Sequence, residues 1–178
     1  MSEIISESAL VVLAPEAESI VKAYRDEHDP AAALGVPAHV TVLYPFQPLA
    51  LAPAARARLA ALFAEFAAFD YALASVGRFP KVLYLAPDPV EPFRLLTQRV
   101  AAAFPEYPPY GGRHAQIIPH LTVANMDDTA RLEAVVARFQ ATCRATLPLR
   151  LRAEAVTLLE YNQGAWQMAA TFPLGAGG

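Results

Sequence analysis

Two short segments, His39-Val40-Thr41-Val42 and His120-Leu121-Thr122-Val123, spell one pattern twice, 81 residues apart in a chain of 178. The elements around them recur in the same order. Leu10-Val11-Val12-Leu13-Ala14-Pro15 leads into a helical pattern, then a strand at His39, a second helical pattern, and a strand near Tyr71–Phe79. Val82-Leu83-Tyr84-Leu85-Ala86-Pro87 opens the series again, through His120 and a further helix to a strand at Leu149–Leu159. The Leu-Ala-Pro marks are offset by 72 residues and the histidine marks by 81, so nine extra residues fall between Pro87 and His120. Their natural place is Pro105–Pro119, which holds Pro-Pro-Tyr-Gly-Gly-Arg-His. Two copies are too few for a solenoid. The pattern predicts a duplicated half, with the two His-x-Thr strands in equivalent places about a pseudo-twofold axis.

Periodicity supports this order. Ala17, Ile20, Val21 and Tyr24 fall at helical spacing, as do Leu59, Leu62, Phe63 and Phe66, and Leu132, Val135, Val136 and Phe139. Phe93, Leu96, Val100 and Ala103 follow it more loosely. Each set makes one apolar stripe for a helix to bury. Pro53 and Pro92 sit where a first turn would begin, and Asp127-Asp128 supplies a cap for the last helix. Stretches rich in Val, Leu, Tyr and Phe predict strands at Leu10–Leu13, His39–Tyr44, Tyr71–Phe79, Val82–Leu85, His120–Ala124, Leu149–Leu159 and Trp166–Phe172.

In a strand, residues i and i+2 share a face, roughly 6.5–7 Å apart. His39 therefore shares a face with Thr41, and His120 with Thr122, while the intervening Val40 and Leu121 face the other way. Each strand presents one imidazole and one hydroxyl, and a twofold brings two such faces together across a cleft. In-line displacement at phosphorus needs a group that takes the nucleophile's proton and a group that protonates the leaving oxygen. Histidine suits both tasks, with a reference pKa of about 6.5. Each proton transfer typically contributes about 10²–10⁴ in rate. Threonine hydroxyls donate to non-bridging phosphate oxygens, at about 1.5–3 kcal/mol for a hydrogen bond to a charged partner. The symmetry leaves open which histidine is acid and which is base.

Composition narrows the field. One cysteine, Cys143, excludes an internal disulfide framework and a cysteine-based zinc site. There is no His-x-His or His-Glu-x-x-His, and no acidic cluster beside either motif, so no metal or other cofactor is expected. The net charge is −3 and only two of the fourteen basic residues are lysines, which argues against an extended nucleic-acid-tracking surface; an anionic substrate would be small, or only one end of a larger chain. No apolar run is long enough for a membrane helix. The acidic start, Met1-Ser2-Glu3-Ile4-Ile5-Ser6-Glu7-Ser8, lacks a basic leader segment, so a cytoplasmic protein is expected.

The segments Pro37-Ala38-His39-Val40-Thr41-Val42-Leu43-Tyr44-Pro45-Phe46 and Pro119-His120-Leu121-Thr122-Val123-Ala124 resemble the two-histidine (2H) phosphoesterase superfamily, in its 2′–5′ RNA ligase-like branch. The resemblance covers nearly the whole chain. It implies a bilobal α+β fold, in which two antiparallel sheets face each other across a central cleft with helices on the outside. The whole of 1–178 then forms one two-lobed domain. It implies His39 and His120 as an acid–base pair and Thr41 and Thr122 as phosphate binders. Activities in this branch include cyclic phosphodiesterase, 2′–5′ phosphodiesterase and RNA end-joining. Hydrolysis, joining and binding without turnover all fit these residues, within RNA processing broadly.

Other residues are weighed beside these. Arg113, on the Gly-Gly-Arg-His loop, is a candidate phosphate clamp, and Tyr84 and Tyr110 are candidates to stack on a base. His114 reads as an exposed loop residue, and His28 as a surface or C-terminal helix residue. Strand parity turns Tyr44 away from His39, so Tyr44 is expected to pack. Cys143 continues the stripe of Phe139 and reads as a core thiol. Gly175–Gly178 reads as a frayed tail.

Overall fold

The structure is a computed structural model that describes residues 7–46, 52–114 and 116–175. Strand formers separated by Pro, Gly and Asp yield eight strands among the described residues: β1 (Ser8–Leu13), β2 (His39–Phe46), β3 (Phe69–Phe79), β4 (Val82–Asp88), β5 (Leu121–Asn125), β6 (Leu149–Ala153), β7 (Ala155–Asn162) and β8 (Ala165–Pro173). The helical stripes become α1 (Glu18–His28), α3 (Pro53–Ala64), α4 (Glu91–Ala103) and α5 (Thr129–Cys143), and a single turn, α2 (Pro30–Ala33), precedes β2. Pro53 is the first residue of α3, and the Asp128 side chain accepts from the Arg131 amide at the start of α5.

Two antiparallel four-stranded sheets result, in the orders β2-β1-β7-β8 and β5-β4-β3-β6. The two halves share their sheets. β3, from the first half, pairs with β4, and β7, from the second half, pairs with β1. The helices are exchanged in the same way, α1 packing on β5 and α4 on β2. Both His-x-Thr segments lie at sheet edges, and β2 touches β5 directly. Among the described residues no helix is long and apolar enough to cross a membrane.

One continuous core holds residues of both halves, with Leu10, Val12, Val40 and Phe63 beside Leu83, Leu85, Leu121 and Phe139. Phe93 of α4 meets Tyr71 and Phe69 edge-on at 4.9 and 5.1 Å, contacts worth about 0.5–1.5 kcal/mol each beyond area burial. Cys143 lies in this core, 1% exposed, as its stripe position requires. A smaller cluster of Ala9, Val11, Val36 and Leu159 lies on the other face of the first sheet.

Four expectations are corrected. The stretch Leu149–Leu159 is not one strand: it breaks at Glu154, with β6 joining the second sheet and β7 the first. The Glu154 carbonyl instead accepts from the Leu174 amide at 2.8 Å. The Leu-Ala-Pro marks run one residue out of step with the fold. Val12 lies opposite Val40 where Leu85 lies opposite Leu121, so Leu13 borders the smaller cluster while Leu85 is core. His28 does end α1, but it is buried, with Nε2 accepting from Arg138 at 3.3 Å. Gly175 is not frayed: its amide donates to the Phe66 carbonyl at 2.7 Å and its carbonyl accepts from Ala68. A Cβ there would lie 2.0 Å from the Ala64 oxygen, so only glycine fits. Residues 176–178, and the acidic start at 1–6, lie outside the described residues.

Candidate active site

Each histidine is held by the carbonyl two residues before it. His39 Nδ1 lies 2.7 Å from the Pro37 oxygen, and His120 Nδ1 lies 2.7 Å from the Ile118 oxygen. A carbonyl only accepts, so Nδ1 carries the proton and donates. In the neutral ring this leaves Nε2 unprotonated, able to take a proton or, once protonated, to give one.

The flank of His39 is tied down from several sides. The Ala38 amide donates to Glu18 Oε1 at 2.8 Å, and the Ala38 carbonyl accepts from Ala14 at 2.9 Å. Below it lies a buried ion pair, Arg25 and Asp29, 3% and 5% exposed. Arg25 Nε donates to Asp29 Oδ2 at 3.0 Å, and its terminal nitrogen donates to the Val36 carbonyl at 2.9 Å. Asp29 also caps α2 through the Ala31 amide at 3.1 Å. The pair therefore fixes the turn that delivers His39. His120 is held differently, by aromatic packing: Phe79 meets it edge-on at 5.1 Å and Tyr84 lies 5.4 Å away.

Both imidazoles titrate below the ordinary histidine value. Burial pushes His39 down to about 4, against the Pro37 carbonyl, which favours the cation; Arg25 and His120 push it further and Asp29 opposes them. Burial likewise lowers His120, opposed by the Ile118 carbonyl.

Thr41 and Thr122 lie across from Val11 and Tyr84, on the faces that carry the histidines. The register slips just beyond each threonine, between Thr41 and Leu43 and between Thr122 and Ala124. Each slip is a bulge with one unpaired residue, Val42 or Val123, and it sends two successive side chains into the core. Parity inverts past the bulge. Tyr44, expected to face away from His39, therefore lies on the same face as Val11 and Thr41, against the smaller cluster and Trp166. Its hydroxyl donates to Glu7 Oε2 at 2.8 Å, and burial with that carboxylate pushes it up to about 12, while Arg113 pulls it down. Arg113 is exposed, directly after the turn Pro109–Gly112 that packs on β2.

A cavity of about 480 Å³ opens beside His120, lined by Phe79, Tyr110, His114, Gln116 and Ile118. Tyr110 borders it, on a turn that packs against β2, the strand of Thr41. His114 is exposed, as expected, yet it meets the Tyr110 ring edge-on at 5.7 Å and lines the cavity. Tyr84 lies beside His120, against Phe79 at 4.5 Å. A larger cavity, about 700 Å³, is lined by Glu16, Asp70, Asp88, Arg150 and Arg152 and holds neither histidine. Among the described residues no three His, Cys, Asp or Glu side chains converge as a metal site.

Sequence reasoning gave Tyr44 the wrong face, though it packs as expected, and missed Phe79 and the Arg25–Asp29 pair. A signal existed for two of them. Paired apolar residues after each threonine break the alternation at the same place, and Asp29-Pro30 is a helix-start signature.

These features place the chain in a class. A family model for the 2′-5′ RNA ligase superfamily matches residues 12–165, and the chain belongs to that superfamily. The fold agrees with solved structures along its length. TT0787 of Thermus thermophilus matches with a TM-score of 0.62 at 19% identity, over 96% of this chain and 98% of that one. E. coli LigT complexed with 3′-AMP matches at 0.57 and 14% identity, over 95% and 98%. A protein described as a phosphoesterase matches at 0.56 and 18%, over 96% and 99%. At these identities the likeness is one of fold. No curated protein matches the sequence.

Proposed function

We propose that the whole chain acts as one two-lobed, metal-independent phosphoesterase on 2′,3′-cyclic phosphate or 2′–5′ phosphodiester bonds of nucleotides or RNA ends. The observation that carries the reading is the pair of equivalent imidazoles, each anchored through Nδ1 to the carbonyl two residues back, on edge strands that touch. In this reading one Nε2 takes the proton of the attacking water and the other, protonated, gives a proton to the leaving ribose oxygen. After one turnover the pair has exchanged roles, and a proton passes back through solvent. Thr41 and Thr122 donate to the non-bridging oxygens. Arg113, beyond the end of β2, supplies a cation for the phosphate charge.

The cavity beside His120 takes the nucleoside, with Phe79 and Tyr110 offering ring faces and edges to the base; Tyr84 packs behind Phe79 and is proposed to support that ring. LigT of the same fold was solved with 3′-AMP, ATP and NADP+, all adenine nucleotides, which fits a site of this kind. The superfamily name also favours a second reading, in which a ribose hydroxyl replaces water and the reaction joins ends. The test is a substrate panel in EDTA: the four 2′,3′-cyclic mononucleotides, 2′–5′ and 3′–5′ linked dinucleotides, and RNA halves bearing a 2′,3′-cyclic end and a 5′-hydroxyl. Turnover of cyclic or 2′–5′ substrates, with 3′–5′ dinucleotides untouched, supports the reading. Inertness toward all of them refutes it.

A further inference from the structure

The connection between α4 and β5 leaves its own lobe. Its short turn, Pro109–Gly112, packs against β2, the strand of the other half that carries His39 and Thr41. Tyr110, Gly111 and Gly112 all adopt positive φ, at 51°, 64° and 75°. Glycine takes such angles freely, but for tyrosine the left-handed region is strained by its Cβ. A side chain held in that conformation must be retained by what it touches. Three features place Tyr110: its ring lines the cavity beside His120, its edge meets His114 at 5.7 Å, and its turn packs on β2 with the phenol on the side of Thr41. It thus spans from the pocket of one lobe to the phosphate-binding threonine of the other. Among the described residues the first half has no such insertion, so the repeat supplies Thr122 with no equivalent neighbour there.

Resting on the proposed function, we infer that the Tyr110 hydroxyl is a third donor to the scissile phosphate, beside those of Thr41 and Thr122. Its turn sets it facing Thr41. When a non-bridging phosphate oxygen arrives at Thr41, the phenol turns its hydrogen onto that oxygen. Burial raises the titration of this phenol, so it stays protonated and able to donate at neutral pH. A donor already in place in a water-poor site is worth more as charge builds on phosphorus than the same donor in water. The hydroxyl, not the ring face, is then the functional part of Tyr110, and the pseudo-twofold pair of threonines is served unequally.

Two variants separate these roles. Tyr110→Phe keeps the ring and removes the donor; Tyr110→Leu removes both. Each is compared with the wild type in kcat/KM on 2′,3′-cyclic AMP and in calorimetric affinity for adenosine 2′-phosphate and adenosine. The inference predicts that Tyr110→Phe loses at least tenfold in kcat/KM and about tenfold in affinity for adenosine 2′-phosphate, with adenosine binding unchanged. A Tyr110→Phe variant within twofold of wild type, with Tyr110→Leu impaired, overturns it and assigns the residue to base stacking. The binding arm does not depend on turnover. If the wild type binds adenosine 2′-phosphate but hydrolyses nothing, the proposed activity falls while Tyr110→Phe still decides the inference. If the wild type binds no phosphate, both fall.

Discussion

Gly77→Ala probes the seat of His120 by adding one methyl group. Gly77 lies opposite Tyr84 in the β3–β4 pairing. A Cβ there would lie 2.4 Å from two ring carbons of Tyr84 and 2.6 Å from its hydroxyl. Comfortable contact begins near 3.4 Å, so the ring must retreat by about 1 Å. It cannot retreat along the sheet, because Phe79 lies 4.5 Å away and His120 5.4 Å away. It must swing into the cleft, where it pushes on the imidazole and crowds Thr122. Overpacking of this kind costs about 1–3 kcal/mol; the free end of the ring places this case near the lower figure. For a chain of this size about 1–2 kcal/mol lowers Tm by roughly 2–8 °C. A catalytic group displaced by about 1 Å can lose on the order of 10²-fold in rate. Calorimetry and kcat/KM on 2′,3′-cyclic AMP therefore separate a small stability loss from a large activity loss. In Gly77→Ala/Tyr84→Ala the clash is gone, so the added cost of the alanine disappears on that background. A Gly77→Ala protein with unchanged Tm and activity refutes the placement of Tyr84 against Gly77.

Three further outcomes follow from the same geometry. Because burial lowers both imidazoles, and His39 to about 4, the singly protonated pair is most populated between the two titrations; kcat/KM is expected to peak below about pH 6.5, and a peak above pH 7 contradicts this. The unfolded chain binds a proton on residue 39 at pH values where the folded protein does not. Stability present at neutral pH is thus lost as pH falls from about 6.5 towards 4, by about 2–3 kcal/mol for His39; denaturant titrations of His39→Asn should show a flatter acid limb, and an unchanged one counts against the half-buried, neutral ring. Arg25→Met leaves Asp29 as an unpaired buried carboxylate, at about 3–5 kcal/mol, or a Tm lower by roughly 6–20 °C. A shift under 2 °C would show that the ion pair does not hold the turn before His39.

The fold was legible where local pattern and burial agree. The stripes of Leu59, Phe63, Leu132 and Phe139 became buried helix faces, and the repeated order became the two-sheet duplication. It was illegible where one residue changes a strand's phase. Val42 and Val123 each add a bulge residue, so a parity argument that holds from His39 to Thr41 fails at Tyr44. Glu154 changes the sheet to which a strand belongs, and only the weak strand formers Ala153-Glu154-Ala155 mark that change within Leu149–Leu159. The Leu-Ala-Pro likeness was a coincidence of letters: register, not spelling, decides which residues are equivalent. Long-range polar contacts were equally hidden. The hold of Arg25 on the Val36 carbonyl, and the approach of Tyr110 to Thr41, depend on where a turn and an inserted loop come to rest, which no periodicity records.

The proposed function requires that His39 and His120 together carry out phosphodiester chemistry without a metal. The most direct measurement is hydrolysis of 2′,3′-cyclic nucleotides in EDTA by wild type, His39→Ala, His120→Ala and the double variant, with 2′- and 3′-phosphate products resolved and folding checked by circular dichroism. A two-histidine mechanism gives turnover by wild type alone, a single product isomer, and a double variant about as impaired as either single variant. Folded single variants that keep wild-type turnover, or a wild type that needs added metal, would contradict it.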